Sequence, residues 1–305
     1  MFETAPLVIA SRASSLALVQ ARLVQSQLAP VTSDILPLTT KGDKVLDRSL
    51  ADAGGKGLFI KELERAMLAG ECDAAVHSMK DMETHFADGT SVAAVLPRED
   101  RRDALLGGYD SIDSLPDGAV VGTASVRRRA LLLSHRPDLQ VKLLRGNVNR
   151  RIAALNAGEY DAILLAVAGL KRLEISAPYS PLDESIMPTA AAQGALAIQV
   201  CNPADARTEA TYAVCAGLNC PDSLTEVTAE RALLAHLDGS CHTPIAASAR
   251  VQADGQITLS GMILSPNGDA AHRGNIVGSR DDAAKLGATL GEELLGAAGG
   301  RGFLA

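Results

Sequence analysis

A cysteine in a tight loop is the residue best suited to covalent chemistry. Cys241 lies in the loop Gly239–Pro244, directly after a predicted helix. The thiolate is a nucleophile, and a cysteine among Gly, Ser and Pro is exposed more often than one in an apolar run. The adjacent His242 is a poor partner, because a nucleophile and its base usually meet through the fold. Spacing alone therefore leaves an incidental loop cysteine and a reactive one both open.

Positive charge is concentrated in one segment of an acidic protein. The chain has a net charge of −7, yet residues 121–151 contain eight basic residues and one acid, Asp138, for a net +7. A solvated helix face explains only part of this excess. A surface for a polyanionic ligand explains it better, since the planar fork of Arg pairs with carboxylates. The basic residues are Arg127, Arg128, Arg129, Arg136, Lys142, Arg145, Arg150 and Arg151.

Composition narrows the class of protein. A length of 305 residues suits two or three domains, and 47% hydrophobic with 21% charged residues is typical of soluble globular proteins. Aromatic residues make up 3% with no Trp, which disfavours base stacking on single-stranded nucleic acid. We expect a cytoplasmic protein, because neither a secretory signal nor an apolar run long enough for a membrane helix is found. Five cysteines without a CxxC pair argue against disulfides and structural zinc.

Alternating strands and helices are predicted to position the polar residues. In two successive segments this alternation predicts parallel sheets covered by helices on both faces. Ligands bind beyond the carboxyl ends of such strands, where helix N-termini favour anions. The polar clusters that follow predicted strands are Ser11–Ser14, Ser78–Asp81, Thr123–Arg128 and Arg145–Arg151.

The predicted elements differ between the first two segments and the third. Residues 41–57 are polar and Gly-rich, which predicts a long mobile loop. The last segment is predicted as an α+β unit with an antiparallel sheet, its hairpins marked by Asp254-Gly255 and Asn267-Gly268. Strands are predicted at 6–10, 34–38, 73–77, 119–122, 141–144, 162–167, 245–251, 257–264 and 270–277. Helices are predicted near 14–28, 59–69, 126–134, 147–156, 228–237 and 282–295.

The chain resembles the hydroxymethylbilane synthase (porphobilinogen deaminase) family over nearly its whole length. The segment around Cys241 is similar to the family's signature for its cofactor-bearing cysteine. Other motifs agree in the same order along the chain, so chance agreement is negligible. They are residues 9–18, 54–59, 77–81, 122–125, 144–148, 166–172, 193–195 and 230–246.

The resemblance implies a fold and an activity. It implies an α/β fold with two similar periplasmic-binding-protein-like domains and a smaller α+β C-terminal domain with a three-stranded antiparallel sheet. We expect domain 1 at 1–96 and 194–214, domain 2 at 100–190 and domain 3 at 220–305. The enzymes condense four porphobilinogen molecules, with loss of ammonia, onto a dipyrromethane cofactor held by a thioether to Cys241. Hydrolysis then releases the linear tetrapyrrole hydroxymethylbilane. A monomer without nucleic-acid or membrane partners is the family expectation.

The family's functional positions carry over residue by residue. Asp81 is the predicted catalytic residue, whose carboxylate stabilises the cation formed when ammonia leaves. Two departures are noted: Asp52 replaces a frequent basic residue, and Ala192 replaces a frequent Gly. Each pyrrole ring carries two carboxylates, which explains the need for cations. The predicted cofactor- and substrate-binding residues are Arg12, Ser14, Lys56, Ser78, Lys80, Thr123, Ser125, Arg127, Arg128, Arg145, Gly146, Arg151, Arg172 and Gln193.

Two other classes of function are weighed against this enzyme. A non-catalytic, periplasmic-binding-protein-like anion-binding module would share the architecture. The Cys241 loop and the absence of a secretion signal count against it. A nucleic-acid binder is motivated by the arginine clusters, but these lie at predicted loop–helix junctions and the chain lacks aromatic residues.

Overall fold

The computed structural model describes residues 2, 5–44, 57, 59–240 and 243–304. Two compact units are formed, Met1–Glu99 with Ala195–Leu224 and Asp100–Gly194 with Thr225–Ala305. The strands are β1 Leu7–Arg12, β2 Ser33–Leu38, β3 Ala74–Ser78, β4 Thr90–Val95, β5 Asp103–Leu106, β6 Val120–Gly122, β7 Gln140–Lys142, β8 Ala162–Ala166, β9 Ser180–Pro181, β10 Leu196–Cys201, β11 Ile245–Val251, β12 Gln256–Leu264 and β13 Ala271–Ser279. The helices are α1 Ser15–Gln27, α2 Lys41–Lys44, α3 Lys61–Leu68, α4 Val126–His135, α5 Val148–Asn156, α6 Val167–Arg172, α7 Ala206–Ala216, α8 Pro221–His236 and α9 Ala283–Ala297.

The first unit contains a five-stranded sheet in the order β2-β1-β3-β10-β4. Strands β1, β2 and β3 are parallel, whereas β10 is antiparallel to both of its neighbours. Strand β3 is buried almost throughout, as expected for a strand covered on both faces. One face packs with Ala21 and Val24 of α1, and the other with Leu63 and Met67 of α3.

The second unit repeats this arrangement in the order β7-β6-β8-β5-β9. Strands β6, β7 and β8 are parallel, and β5 is antiparallel to β8 and β9. In both sheets a central parallel strand is flanked by two parallel neighbours, and an antiparallel fourth strand follows. The prediction of two similar α/β units is therefore confirmed.

The expectation of purely parallel sheets is wrong. Both sheets are mixed, because β5 and β10 run against their neighbours. Neither strand was predicted, and β4, β9, α6 and α7 were missed as well. Strand β5 has only four residues, all of them buried. Such a short buried run shows no periodicity from which its type or direction could be predicted.

The C-terminal part of the second unit forms the predicted three-stranded antiparallel sheet, in the order β11-β12-β13. The hairpin turns at Gly255 and Gly268 both have positive φ, which fits glycine. Helices α8 and α9 pack on one face through Leu233, Leu290 and Leu294. The predicted fold class is thus confirmed, while the three domain boundaries stay predictions.

Two predicted elements have different bounds in the structure. Helix α8 begins at Pro221 rather than near 228, and proline is favoured in the first turn because its missing N–H has no intrahelical partner there. The predicted loop at 41–57 begins with the short helix α2. Residues 45–56 of that segment lie outside the described residues.

Candidate functional site

In the first unit, the carboxyl ends of β1 and β3 bring predicted site residues to one edge of the sheet. Arg12 is the last residue of β1, and Ser78 is the last residue of its parallel neighbour β3. A 3-10 turn, Met79–Asp81, follows directly and carries Lys80 and Asp81. Because parallel strands end at the same edge, this is where an α/β sheet binds its ligand.

Asp81 has a carboxylate that is available to a ligand. The side chain is partly buried, yet its carboxylate forms no hydrogen bond or ion pair with the described part of the chain. A turn cap would use its carboxylate on nearby backbone N–H groups. Since Asp81 does not, the arrangement fits a charge reserved for a reacting group.

Other residues in and around the carboxyl ends of β1 and β3 are held by internal contacts. The guanidinium of Arg12 stacks over the Phe59 ring, with Cζ 4.1 Å from the ring centroid. Ser14 caps α1 by accepting a hydrogen bond from the Ala17 amide. The amide of the buried Gln20 lies 2.9 Å from the Ser78 hydroxyl. Sequence analysis missed Gln20, since a glutamine within an amphipathic helix gives no signal of its own.

His77 is a buried neutral imidazole directly before Ser78. Burial lowers the pKa of His77 to about 4, and the positive charge of Arg12 contributes to the lowering. Its Nε2 atom is buried without a hydrogen-bond partner among the described residues. His77 therefore adds no positive charge to this edge of the sheet near neutral pH.

In the second unit, predicted site residues follow β6, β7 and β8. Strand β6 lies between the other two and is parallel to both. Thr123 and Ser125 follow β6, and Ser125 caps α4 by accepting a hydrogen bond from the Arg128 amide. Arg145 follows β7, and Arg172 ends the helix that follows β8. Three strand ends thus supply hydroxyls, a helix N-terminus and cations.

The start of α5 has the geometry of an anion site. Gly146 adopts φ +109°, a region that side chains rarely occupy. Its carbonyl accepts a hydrogen bond from Nε of Arg151 at 2.8 Å. Asn147 caps the helix by accepting from the Arg150 amide at 2.9 Å. The backbone here presents a helix N-terminus beside fixed guanidinium groups, a combination that favours carboxylates.

Arg127 and Arg128 are buried, so these two do not lie on the surface that the positive charge of residues 121–151 was expected to form for a polyanionic ligand. They are 3% and 5% exposed, and both pair with the fully buried Asp103 of β5. Nη2 of Arg127 lies 2.8 Å from Asp103, and Nη2 of Arg128 lies 2.7 Å from it. Sequence analysis missed Asp103, because 24 residues separate it from the nearer arginine. Ligand binding by this pair stays a prediction.

The charges of this buried group are strongly coupled. Burial alone would raise the pKa of Asp103, but the positive charges of Arg127 and Arg128 outweigh it and hold this pKa below its ordinary value. Burial also lowers the pKa of Arg127. Nε of Arg127 is buried without a hydrogen-bond partner among the described residues.

Gln193 is buried beside Asp103. It is 1% exposed, and its Nε2 donates to Asp103 at 2.8 Å and to the Arg101 carbonyl at 2.7 Å. Arg172 donates from Nη2 to the Gly194 carbonyl at 2.7 Å. The segment around Gln193 thus contacts Arg172 directly and Asp103, the partner of Arg127 and Arg128.

The described ends of the cysteine loop are well defined. Asp238 adopts φ +52°, and the amides of Asp238 and Gly239 return to the carbonyls of Ala235 and Leu234. These two hydrogen bonds form a Schellman motif at the C-terminus of α8. A Cβ on Gly239 would lie 2.5 Å from the Cδ1 atom of Ile245, so a larger residue here would require the Ile245 side chain to move.

Across the loop, two hydrogen bonds join Ser240 and Thr243. The Ser240 amide donates to the Thr243 hydroxyl at 3.0 Å, and the Thr243 amide donates to the Ser240 carbonyl at 3.1 Å. Cys241 and His242 between them, and Lys56, lie outside the described residues. The loop is therefore closed on both sides of the predicted attachment residue.

The donor set fits a ligand with many carboxylates. Both units offer guanidinium groups and helix N-termini at strand ends, and each pyrrole ring of a dipyrromethane brings two carboxylates. No group of residues suited to hold a metal ion is found in the part of the chain that the structure describes. Among the same residues, no helix is both long and apolar enough to cross a membrane.

Two family models match the chain. The "Porphobilinogen deaminase, dipyromethane cofactor binding domain" matches residues 7–210, and the "Porphobilinogen deaminase, C-terminal domain" matches residues 224–296. The chain belongs to the porphobilinogen deaminase family. It is an enzyme of tetrapyrrole synthesis that binds a dipyrromethane cofactor and acts on porphobilinogen, and its function is the synthesis of hydroxymethylbilane. The match to the two family models therefore favours the enzyme over the alternative of a non-catalytic anion-binding module.

Solved periplasmic proteins share low sequence identity with the deaminase. A glutathione-bound ABC transporter periplasmic binding protein from Brucella ovis is 13% identical, with 77% of this chain and 70% of that chain covered and a TM-score of 0.43. The aliphatic sulphonate binding protein SsuA from Escherichia coli is 15% identical, with 75% and 70% covered and a TM-score of 0.40. The periplasmic VFT2 domain of BvgS from Bordetella pertussis is 15% identical, with 70% and 85% covered and a TM-score of 0.38.

Proposed function

We propose that this deaminase is a transferase whose Cys241 holds the dipyrromethane through a thioether. Four porphobilinogen units are added in turn, each with loss of one ammonia, and water then releases hydroxymethylbilane. The match to both family models is the observation that carries this proposal. When bound, the dipyrromethane supplies the pyrrole carbon to which the first unit is added.

Asp81 is the proposed catalytic residue. Loss of ammonia from porphobilinogen leaves a cation delocalised over the pyrrole ring. A carboxylate near the pyrrole N–H stabilises that cation more than the neutral substrate, so it lowers the barrier. One such contact is worth about 3 kcal/mol in a closed site. Support comes from the Asp81 carboxylate, which has no hydrogen-bond or ion-pair partner in the described chain.

The cations at the strand ends are proposed to hold the acetate and propionate groups. Arg145 and Arg151 lie at the start of α5, where the helix N-terminus adds its own attraction for anions. Arg172, Arg12 and Lys80 supply further positive charge at the other strand ends. The arginines give planar, two-point pairing that a lysine does not reproduce.

The proposal also covers the oligomeric state, the cellular location and the partners of the enzyme. The deaminase works as a monomer in the cytoplasm and takes porphobilinogen as a free small molecule. It needs neither nucleic acid nor a membrane. Mass photometry of the purified enzyme tests the oligomeric state, and a dimer at working concentration would contradict it.

Intact-mass spectrometry tests the attachment residue. The purified enzyme should carry the mass of a dipyrromethane, and Cys241→Ala should lack it. Cys220→Ala is the control, because Cys220 is a partly exposed thiol near the start of α8. An adduct that survives in Cys241→Ala, or is lost in Cys220→Ala, would contradict the assignment.

Single-turnover addition of porphobilinogen tests Asp81. We expect Asp81→Asn to slow addition of the first unit about a hundredfold, since about 3 kcal/mol of stabilisation is removed. Asp81→Glu keeps the charge but moves it, so we expect a smaller loss. Asp88→Asn, at an exposed position seven residues further along the chain, should leave the rate unchanged. Addition by Asp81→Asn at the rate of the unmodified enzyme would show that another group stabilises the cation.

A further inference from the structure

Glu230 of α8 is a fully buried carboxylate where three segments meet. Its Oε2 accepts a hydrogen bond from the Ala192 amide at 2.6 Å, and its Oε1 accepts from the Ala249 amide of β11 at 2.7 Å. Nη1 of Arg101 lies 3.6 Å from the same Oε1. A buried carboxylate is costly unless it is paired and hydrogen-bonded, and here both of its oxygens are used.

Ala192 is held in a conformation that it would not adopt alone. Its φ is +60°, a left-handed conformation that is unfavourable for alanine. Ala192 is also 1% exposed, so its amide needs a partner within the protein. The hydrogen bond to Glu230 supplies that partner and fixes the direction in which the chain continues.

The next two residues are linked to the predicted arginines, one directly and one through Asp103. Gln193 donates to Asp103, the carboxylate that pairs with Arg127 and Arg128. The Gly194 carbonyl accepts from Arg172. Ala192–Gly194 is therefore linked directly to Arg172 and, through Asp103, to Arg127 and Arg128.

We propose that Glu230 is a positioning residue for the recognition of substrate carboxylates. It acts through Ala192–Gly194 on Arg172 and, by way of Asp103, on Arg127 and Arg128. The inference rests on the proposed function, since the arginines must bind the carboxylates of porphobilinogen. Loss of Glu230 would leave every arginine present but displaced. Small displacements of binding groups are enough to change rates or affinities strongly.

Steady-state kinetics of Glu230→Gln provide the test. Gln can accept from only one of the two amides, because its NH2 group would face the other donor. We expect the KM for porphobilinogen to rise about tenfold, with kcat changed less, since displaced arginines weaken ground-state binding as well as the transition state. Glu230→Asp keeps the charge near Arg101 but withdraws the carboxylate by one methylene, and it should raise the KM similarly.

Glu226→Gln is the matched control. Glu226 lies on the same helix and pairs with the same Arg101 at 2.6 Å, and its carboxylate also accepts a hydrogen bond from the Val251 amide. The KM of Glu226→Gln should stay within about twofold of that of the unmodified enzyme, as expected for a change outside Ala192–Gly194 and the predicted carboxylate-binding arginines. A tenfold rise in the KM of Glu226→Gln would mean that loss of any buried charge on α8 weakens substrate binding. That result would overturn the proposal.

A double-mutant cycle separates positioning from general damage. If Glu230 acts through Arg172, then Glu230→Gln should raise the KM much less in the Arg172→Leu background than alone. Additive effects would overturn the proposal. So would an unchanged KM in both folded Glu230 variants, or failure of both to fold by far-UV circular dichroism. Lack of hydroxymethylbilane formation by the unmodified enzyme would instead refute the proposed function.

Discussion

Replacing Asp103 by Asn would remove one negative charge from a site where two guanidinium groups are buried against it. The carboxylate accepts hydrogen bonds from Arg127 at 2.8 Å, from Arg128 at 2.7 and 3.1 Å, and from Gln193 at 2.8 Å. An Asn side chain has one acceptor oxygen and would turn an NH2 group toward these donors. The substitution therefore leaves buried positive charge without compensation.

The size of the effect follows from the burial of the partners. Breaking a buried ion pair by removing one partner costs about 3–5 kcal/mol, because an unpaired charge stays buried. The total stability of a protein of this kind is about 5–15 kcal/mol. We therefore expect Asp103→Asn to lose a large fraction of the free energy of unfolding of its unit.

Urea unfolding followed by far-UV circular dichroism measures this loss, since the chain has no Trp for fluorescence. Asp100→Asn is the control. Asp100 pairs with Arg102 at 2.8 Å, but the Arg102 side chain is 43% exposed, so we expect a loss of about 1 kcal/mol or less. Equal losses in the two variants would refute the argument that burial of the arginines sets the cost.

The pH dependence gives a second check on Asp103. Its pKa lies below the ordinary value of 3.8 in the folded state, so folding favours the charged carboxylate. The stabilisation is fully present above the unfolded pKa and is lost as the pH falls from there through the folded pKa. The difference in stability between the unmodified enzyme and Asp103→Asn should thus be constant at neutral pH and shrink below about pH 4.

Two further predictions concern stability. Gly268→Ala should cost about 2–4 kcal/mol in urea unfolding, because the added Cβ would lie 2.2 Å from the Ala130 carbonyl at φ +75°. Gly255→Ala, at φ +81° with nothing within 4 Å, should cost about 1 kcal/mol, and equal costs would contradict the predicted clash. The pKa of His77 falls from 6.5 to about 4 on folding, so protonation of the unfolded chain should reduce stability by about 3 kcal/mol as the pH falls through that range. In unfolding experiments at several pH values, the free energy of unfolding of His77→Gln should not show this fall with pH. An unchanged pH dependence would mean that another group is responsible.

The strand ends were predictable because their signals are local. Ser14 and Ser125 cap helices as their sequence context indicates, and the glycine-marked hairpins of the last sheet form where expected. Each of these features depends on a few consecutive residues. The elements that follow them could therefore be placed to within a few residues from the sequence.

Partners that lie far apart along the chain could not be predicted in the same way. Asp103 and Gln193 are 90 residues apart and meet only in the folded unit. The antiparallel strand β10 enters the first sheet after about a hundred residues of the second unit. Sequence patterns describe the face that a residue presents but not the residue that it meets there, so buried ion pairs and strand directions were missed.

The buried pairs also change how the excess of arginines is understood. Arg127 and Arg128 share Asp103, and Arg136 pairs with Asp138 at 2.7 Å. A charge that is compensated within the protein contributes little to the attraction of a distant anion. Arg145 and Arg151 of the same segment lie at the start of α5, beside a helix N-terminus that favours anions. We expect Arg→Leu changes at these two positions to weaken carboxylate binding at little cost in stability, whereas the same change at Arg128 should destabilise the fold by leaving Asp103 with a single guanidinium.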